Sequence, residues 1–261
     1  MNKTCLSGFV LTVCAGIISS VSTAATQPVF SPEQEARIGE IAADYMLAHP
    51  DVLVQVSEKL QMQQRERQQH IFAVKVMENQ DALVNDPDTP AAGPKDAHVA
   101  VIEFFDYQCV HCSHMAPVLD DVMKRRPSVK YIFKEWPIFA GSYKASLQAA
   151  ERGLSVWKAK GADAYLTYHN TLYHTDHIEG ALTENDINQA TVAAVGNKVV
   201  RDESSDAALE NNYTLARSLG LTGTPGLIVM PLENAAPKNI TVIPGSVSAE
   251  VLLAAIDKAG Q

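Results

Sequence analysis

The sequence is poor in cysteine: four in 261 residues, with Cys5 and Cys14 at the start and Cys109 and Cys112 in the interior. A disulfide-stapled fold needs several pairs, so that class is excluded. A basic excess is missing too. Lys and Arg number 21 against 30 Asp and Glu, a formal net charge of −9, and no basic stripe reverses it. Nucleic acid and anionic lipid are therefore not expected partners. Low-complexity tracts are absent, and with 46% hydrophobic residues the chain can bury a sizeable core without a crosslink.

A run long enough to cross a membrane is also lacking at the start. Leu6 to Val21 is apolar but shorter than the roughly 20 residues a span needs. Lys3 precedes the run, and Ser22 with Ala24, or Thr23 with Ala25, supplies the small residues of a cleavage site. Residues 1–24 thus have the form of a secretory signal peptide, with a membrane anchor as the alternative. Cys14 does not suit a lipoprotein, because bulky Val13 precedes it. Cleavage removes Lys3 and no acid, taking −9 to −10, and leaves Cys109 and Cys112 as the remaining cysteines.

Residues 25–86 read as a helical arm. Ser31 is a candidate N-cap with Pro32 at the first helical position, and Ile38, Ile41 and Tyr45 form one stripe. Pro50 ends that helix and Asp51 can cap the next. There Leu53, Val56, Leu60, Val74 and Met77 share a heptad frame that meets Gln63, Arg67 and His70 in the middle. Self-association through residues 31–86 is expected, as a homodimer or a trimer; the alternative is a helix folded back on the main domain. Residues 87–96, with Pro87, Pro90, Gly93 and Pro94, read as a linker.

From residue 97 onward the pattern is α/β. "HVAVIEFF" is a buried strand, the segment from "CVHC" is a helix with a kink expected at Pro117, and "VKYIFKEWP" is a strand. Residues 142–220 are mostly helical and broken near Gly161, Gly180 and Gly196. "GTPGLIVM" and "NITVIP" return to strand before a last helix. The expected fold is a small α/β sheet split by a helical insertion.

The segment Cys109-Val110-His111-Cys112 carries the chemistry. A disulfide between cysteines this close closes too small a loop to be a useful staple, so its value lies in reactivity. The start of a helix offers unpaired N–H groups and a positive dipole end that stabilise a thiolate at Cys109, and His111 adds a donor or charge nearby. Cys109 is expected to be the exposed attacking sulfur and Cys112 the buried resolving one. The competing reading is a metal site from Cys109, His111, Cys112 and His114. Structural zinc usually needs two separated ligand pairs, which leaves Cu(I) binding by the reduced thiols as a side activity. His114 by itself reads as a surface residue. Glu103 is either a buried acid that relays protons to Cys112 or an acid at a sheet edge. Pro225, after Thr224, enters a strand and is a candidate cis-proline.

From about residue 96 to the end, "VIEFFDYQ", "CVHC", the helical insertion and "TGTP" resemble the DsbA-like thiol–disulfide oxidoreductases of the bacterial periplasm. The resemblance implies a thioredoxin fold with an inserted helical domain. It implies Cys109 as nucleophile, Cys112 as resolving cysteine, His111 as thiolate stabiliser, Glu103 as buried acid, and Thr224 and Pro225 as the cis-proline turn. The redox-active Cys109–Cys112 disulfide replaces any separate cofactor. Exported proteins with cysteines and a membrane redox partner are the implied partners, and the periplasm the implied compartment. Two departures point toward isomerase or mixed activity. Thr224 stands where simple oxidases tend to carry Val, as in the isomerases, and the helical arm looks like that of ScsC-like relatives. Val110 replaces the commoner proline of the motif.

Overall fold

The computed structural model describes residues 29–196 and 205–261. The signal-peptide expectation, with Cys5 and Cys14, lies outside the described residues. The chain divides into two compact units, one ending at Glu58 and one running from Lys59 to Gln261.

In the first unit, α1 (Pro32–Ala48) opens on a capping box. The Ser31 hydroxyl accepts from the Gln34 N–H at 3.3 Å, and the Gln34 side chain accepts from the Ser31 N–H at 2.8 Å. No residue of α1 is buried. Ile38, Ile41 and Tyr45 are exposed, as are Leu53 and Val56 at the start of α2 (Asp51–Glu78).

The second unit is built on a sheet in the order β1-β3-β2-β4-β5. The central strand β2 (Val99–Phe105) pairs parallel with β3 (Lys130–Glu135) and antiparallel with β4 (Gly226–Pro231). β5 (Thr241–Pro244) flanks β4, and the short β1 (Ala91–Ala92) flanks β3. Every residue of β2 and β4 is buried, because both faces of the sheet are covered. Val99, Val101 and Phe105 face the layer of α4 (Val110–Arg125) and α9 (Ala249–Ala259). Ala100, Ile102 and Phe104 face the opposite core, which holds the end of α2, α3 (Gln80–Val84) and α8 (Ser205–Leu219). Between β3 and β4 lie α5 (Lys144–Lys160), α6 (Ala162–Tyr173), α7 (Glu184–Val195) and α8. The breaks fall where glycine permits them: Gly161 and Gly196 end α5 and α7 at φ of 76° and 74°.

The structure differs from the sequence expectation between residues 59 and 96. Ala73, Val76, Leu83 and Val84 are buried in the core beside β2 and β4, so this end of the expected arm belongs to the second unit. Val74 and Met77, placed in the heptad seam by spacing, stay partly exposed while Ala73 and Val76 dock. Gln69 anchors the same stretch: its side chain donates to the Val242 carbonyl at 2.7 Å and accepts from the Val242 N–H at 3.2 Å, closing the β5 edge. The expected linker is fixed as well. Ala91 and Ala92 pair with Ile132 and Tyr131, and the Phe133 N–H donates to the Pro90 carbonyl at 2.9 Å. A buried lysine explains why. Lys134 must find acceptors, and it donates to Asp86 at 2.9 Å, Thr89 at 2.7 Å and the Ala82 carbonyl at 3.0 Å. The prolines suit an edge strand, which does not need every N–H. α4 continues through Pro117 as one helix.

Candidate active site

The site forms where β2 gives way to α4. Asp106, the first residue after β2, folds the connection: its carboxylate accepts from the Gln108 N–H at 2.7 Å, the Phe139 N–H at 2.9 Å and the Ser146 hydroxyl at 2.7 Å. Its carbonyl accepts from the Cys109 N–H at 3.0 Å and from the Tyr173 hydroxyl at 3.1 Å. These bonds deliver Cys109 to the N-cap position of α4, and its carbonyl accepts from the N–H groups of Cys112 and Ser113. Cys112 then lies one turn into the helix.

The sulfurs are not linked to each other, and their environments drive them apart. Donation by the Cys112 thiol is the largest influence on Cys109. Burial opposes it, while Thr224 and the N–H groups of Cys112 and His111 add to it, so Cys109 falls from 9.0 to about 6. At neutral pH the thiolate is then the favoured form of Cys109. Cys112 moves the other way: burial, its bond to Cys109 and the Cys109 charge push it well above 9.0. The Cys109 thiol sits 3.3 Å from the Thr224 carbonyl, and the Thr224–Pro225 bond is cis, as expected. Two contacts with Thr224 act in opposite senses. Its carbonyl can accept only from the thiol, whereas its buried and otherwise unpartnered hydroxyl can donate to the thiolate.

Glu103 is fully enclosed in the central strand, which resolves the choice between core and sheet edge in favour of the core. It shares the β2 face with Val101 and Phe105, toward the layer that holds both cysteines. Burial, with the Cys109 charge second, raises its pKa to about 8, and one carboxyl oxygen has no partner. A carboxyl with that value can take or give a proton near neutral pH.

One expectation needs correction. Cys109 was expected to be exposed, yet the residue is only 4% exposed, because the N-cap position tucks it against Thr224. It is reached through an open cleft of about 480 Å³ that it lines with His111, Val110, Phe139, Tyr143 and Thr224. His111 is exposed, and it bears on the thiolate through its backbone N–H. His114 is exposed, as expected of a surface residue. Among the described residues, no three His, Cys, Asp or Glu side chains come together as a metal site, so Cu(I) binding here would rest on the two thiols.

Comparison with known proteins bears on this geometry. A family model described as Thioredoxin matches residues 85–241. The chain belongs to this family, in its DsbA-like and ScsC-like branch. A second model, described as the copper resistance protein ScsC N-terminal domain, matches residues 34–67. The crystal structure of BcfH from Salmonella enterica Typhimurium is 36% identical, covering 88% of this chain and 97% of that one, at a TM-score of 0.73. The catalytic domain of Proteus mirabilis ScsC is 28% identical over 72% of this chain and 99% of that one, at 0.63. A periplasmic thioredoxin-like protein from Salmonella enterica serovar Typhimurium is 28% identical over 70% and 96%, at 0.59. A search of curated proteins found no match. The fold is thus a thioredoxin fold with an inserted helical region and an N-terminal helical segment, and the chain has the character of a thiol–disulfide oxidoreductase.

This DsbA-like site contains residues the motif does not reveal. Glu135 on β3 is fully buried and accepts from the Tyr107 and Tyr165 hydroxyls at 3.1 and 2.7 Å, with its second oxygen unpartnered. Burial holds it well above the usual carboxylate range. Gly153 of α5 approaches it so closely that an added Cβ would lie 2.6 Å from Oε1. Asp106 could have been suspected, since Asp two residues before the end of a turn readily accepts backbone N–H groups. Glu135 gave only a weak signal, an acid at the end of an apolar strand.

Proposed function

We propose that this protein introduces or reshuffles disulfides in exported proteins, in the periplasm, through Cys109 and Cys112. The observation that carries the reading is the opposed tuning of the sulfurs, one thiolate and one firmly protonated thiol, beside an open cleft.

In the oxidised form, a substrate thiolate attacks Sγ of Cys109 and breaks its bond to Cys112. Cys112 leaves with the electron pair and takes a proton, for which Glu103 is the nearby source. A second substrate thiolate attacks the substrate sulfur of the mixed disulfide, and Cys109 leaves as a stabilised anion. The substrate loses two electrons and the protein gains them. In the reduced form, the Cys109 thiolate attacks a substrate disulfide. Release by another substrate thiol reshuffles the bond with no net redox change. Release by Cys112, whose proton passes to Glu103, reduces it. A membrane redox partner resets the pair in either direction. The exposed stripe of Ile38, Ile41, Tyr45, Leu53 and Val56 supports self-association of the arm as a dimer or trimer.

The test is Cys112→Ser in cells, with acid quenching and thiol alkylation. Mixed disulfides between Cys109 and exported proteins are expected to accumulate; their absence overturns the proposal. In the unaltered chain, a mainly oxidised pair identifies an oxidase and a mainly reduced pair an isomerase.

A further inference from the structure

The Cys109 cleft is bounded on one side by the loop before α7. Glu179 lines it, as do Val110 and His111 at the start of α4. The rest of the lining that reaches the sulfur is apolar or uncharged, chiefly Phe139, Tyr143 and Thr224, so Glu179 is the carboxylate among the lining residues. It is exposed, and among the described residues no basic side chain pairs with it.

The loop is held in place. Glu179 sits at φ 53°, a left-handed conformation that residues with side chains rarely adopt. Its N–H donates to the Gln108 carbonyl at 3.1 Å, and the Gly180 N–H donates to the Gln108 side-chain oxygen at 2.5 Å. Gln108 is buried and directly precedes Cys109, so the loop is tied to the nucleophile's own backbone. Gly180, at φ 98°, lies so near Tyr143 that an added Cβ would be 2.8 Å from the ring. The backbone that carries the carboxylate therefore has a fixed place relative to the attacking sulfur, and its charge is not spent on a partner.

We propose that Glu179 is a specificity-determining residue that favours substrate segments carrying lysine or arginine next to the cysteine under attack. This rests on the thiol-exchange reading. Exposed charge pairs are individually weak, so the preference is modest: about three- to tenfold between a lysine and a glutamate neighbour at low salt.

The experiment uses the full reduced chain and short peptides whose single cysteine is held as a mixed disulfide with a chromophoric thiol. The neighbour of that cysteine is Lys, Gln or Glu. Release of the thiol is followed at one pH, and each rate is taken relative to the Gln peptide. The expected order is Lys, then Gln, then Glu, with the spread shrinking in high salt. Glu179→Gln is expected to bring the Lys-to-Glu ratio below about twofold. Glu66→Gln, which removes the same charge from an exposed position on α2, is expected to leave the ratio as it was. Equal rates in the unaltered chain overturn the inference alone. So does a spread that survives Glu179→Gln or falls equally in Glu66→Gln, since overall acidity would then be its source. No exchange with any peptide overturns the thiol-exchange reading and this inference together.

Discussion

Replacing Thr224 by valine removes one hydroxyl and almost nothing else. The Thr224 carbonyl, 3.3 Å from the Cys109 sulfur, is backbone and is kept. The hydroxyl is buried without a partner, so the apolar isostere relieves an unsatisfied group in the thiol and disulfide states. In the thiolate state the same change removes a donor. A hydrogen bond to a charged group contributes about 1.5–3 kcal/mol, which corresponds to roughly one to two pKa units. Cys109 is therefore expected to rise from about 6 toward 7 or 8. A less stable thiolate makes the reduced form less stable, so at pH 7 the couple becomes a weaker oxidant by about 20–30 mV. The sign of the stability effect follows. Cys109 is depressed below its unfolded value, so it stabilises the reduced protein fully above about pH 9, and that contribution is lost as pH falls through about 6. Thr224→Val raises the lower end of this window. Thiolate absorbance or alkylation rate against pH measures the midpoint, and redox equilibration with glutathione the potential. A midpoint within about 0.3 units of the unaltered protein would refute the assignment of the hydroxyl as a donor.

Glu103→Gln is expected to slow the resolving step at least tenfold near neutral pH and to remove the limb near pH 8 from its pH profile, as measured by decay of the mixed disulfide. The same variant should be the more stable one at alkaline pH. The Glu103 pKa lies above its unfolded value, so its ionisation costs stability progressively from about pH 4.5 to 8, by a few kcal/mol at the upper end. Denaturant melts at both ends of that range check this, and a constant difference would count against it. Gly153→Ala is expected to destabilise by about 1–3 kcal/mol despite the better helix propensity of alanine, because Glu135 is pinned by two tyrosines and cannot withdraw. Thermal melting would show it, and an unchanged or raised midpoint would mean the carboxylate has room to move. Removing residues up to Glu58 is expected to abolish self-association in a sizing measurement while leaving the Cys109 midpoint in place. A cut at residue 85 should instead unfold the protein, because Val76, Leu83 and Val84 are core residues.

Local pattern was enough for much of this protein. β-Branched and aromatic residues marked β2, the apolar run after Pro225 marked β4, the glycines at 161 and 196 marked breaks in the helical insertion, and the cysteine spacing marked the redox pair. Each of those signals acts within a few residues, so it survives without the fold. Other features depended on contacts between distant segments. Spacing alone gave Val74 and Met77 the inward face of α2, but the sheet edge and Gln69 turned Ala73 and Val76 inward. Proline and glycine made residues 87–96 look open, and the buried Lys134 of β3 drew them into an edge strand. Cysteine chemistry could be read from the motif, but not its degree of burial, nor that His111 acts through its backbone. The sequence by itself determined which atoms react, because a thiol at a helix start is reactive for local reasons. Tertiary structure decided how they are tuned and what can reach them, since burial, a carboxyl on a neighbouring strand and a loop from the insertion are properties of packing.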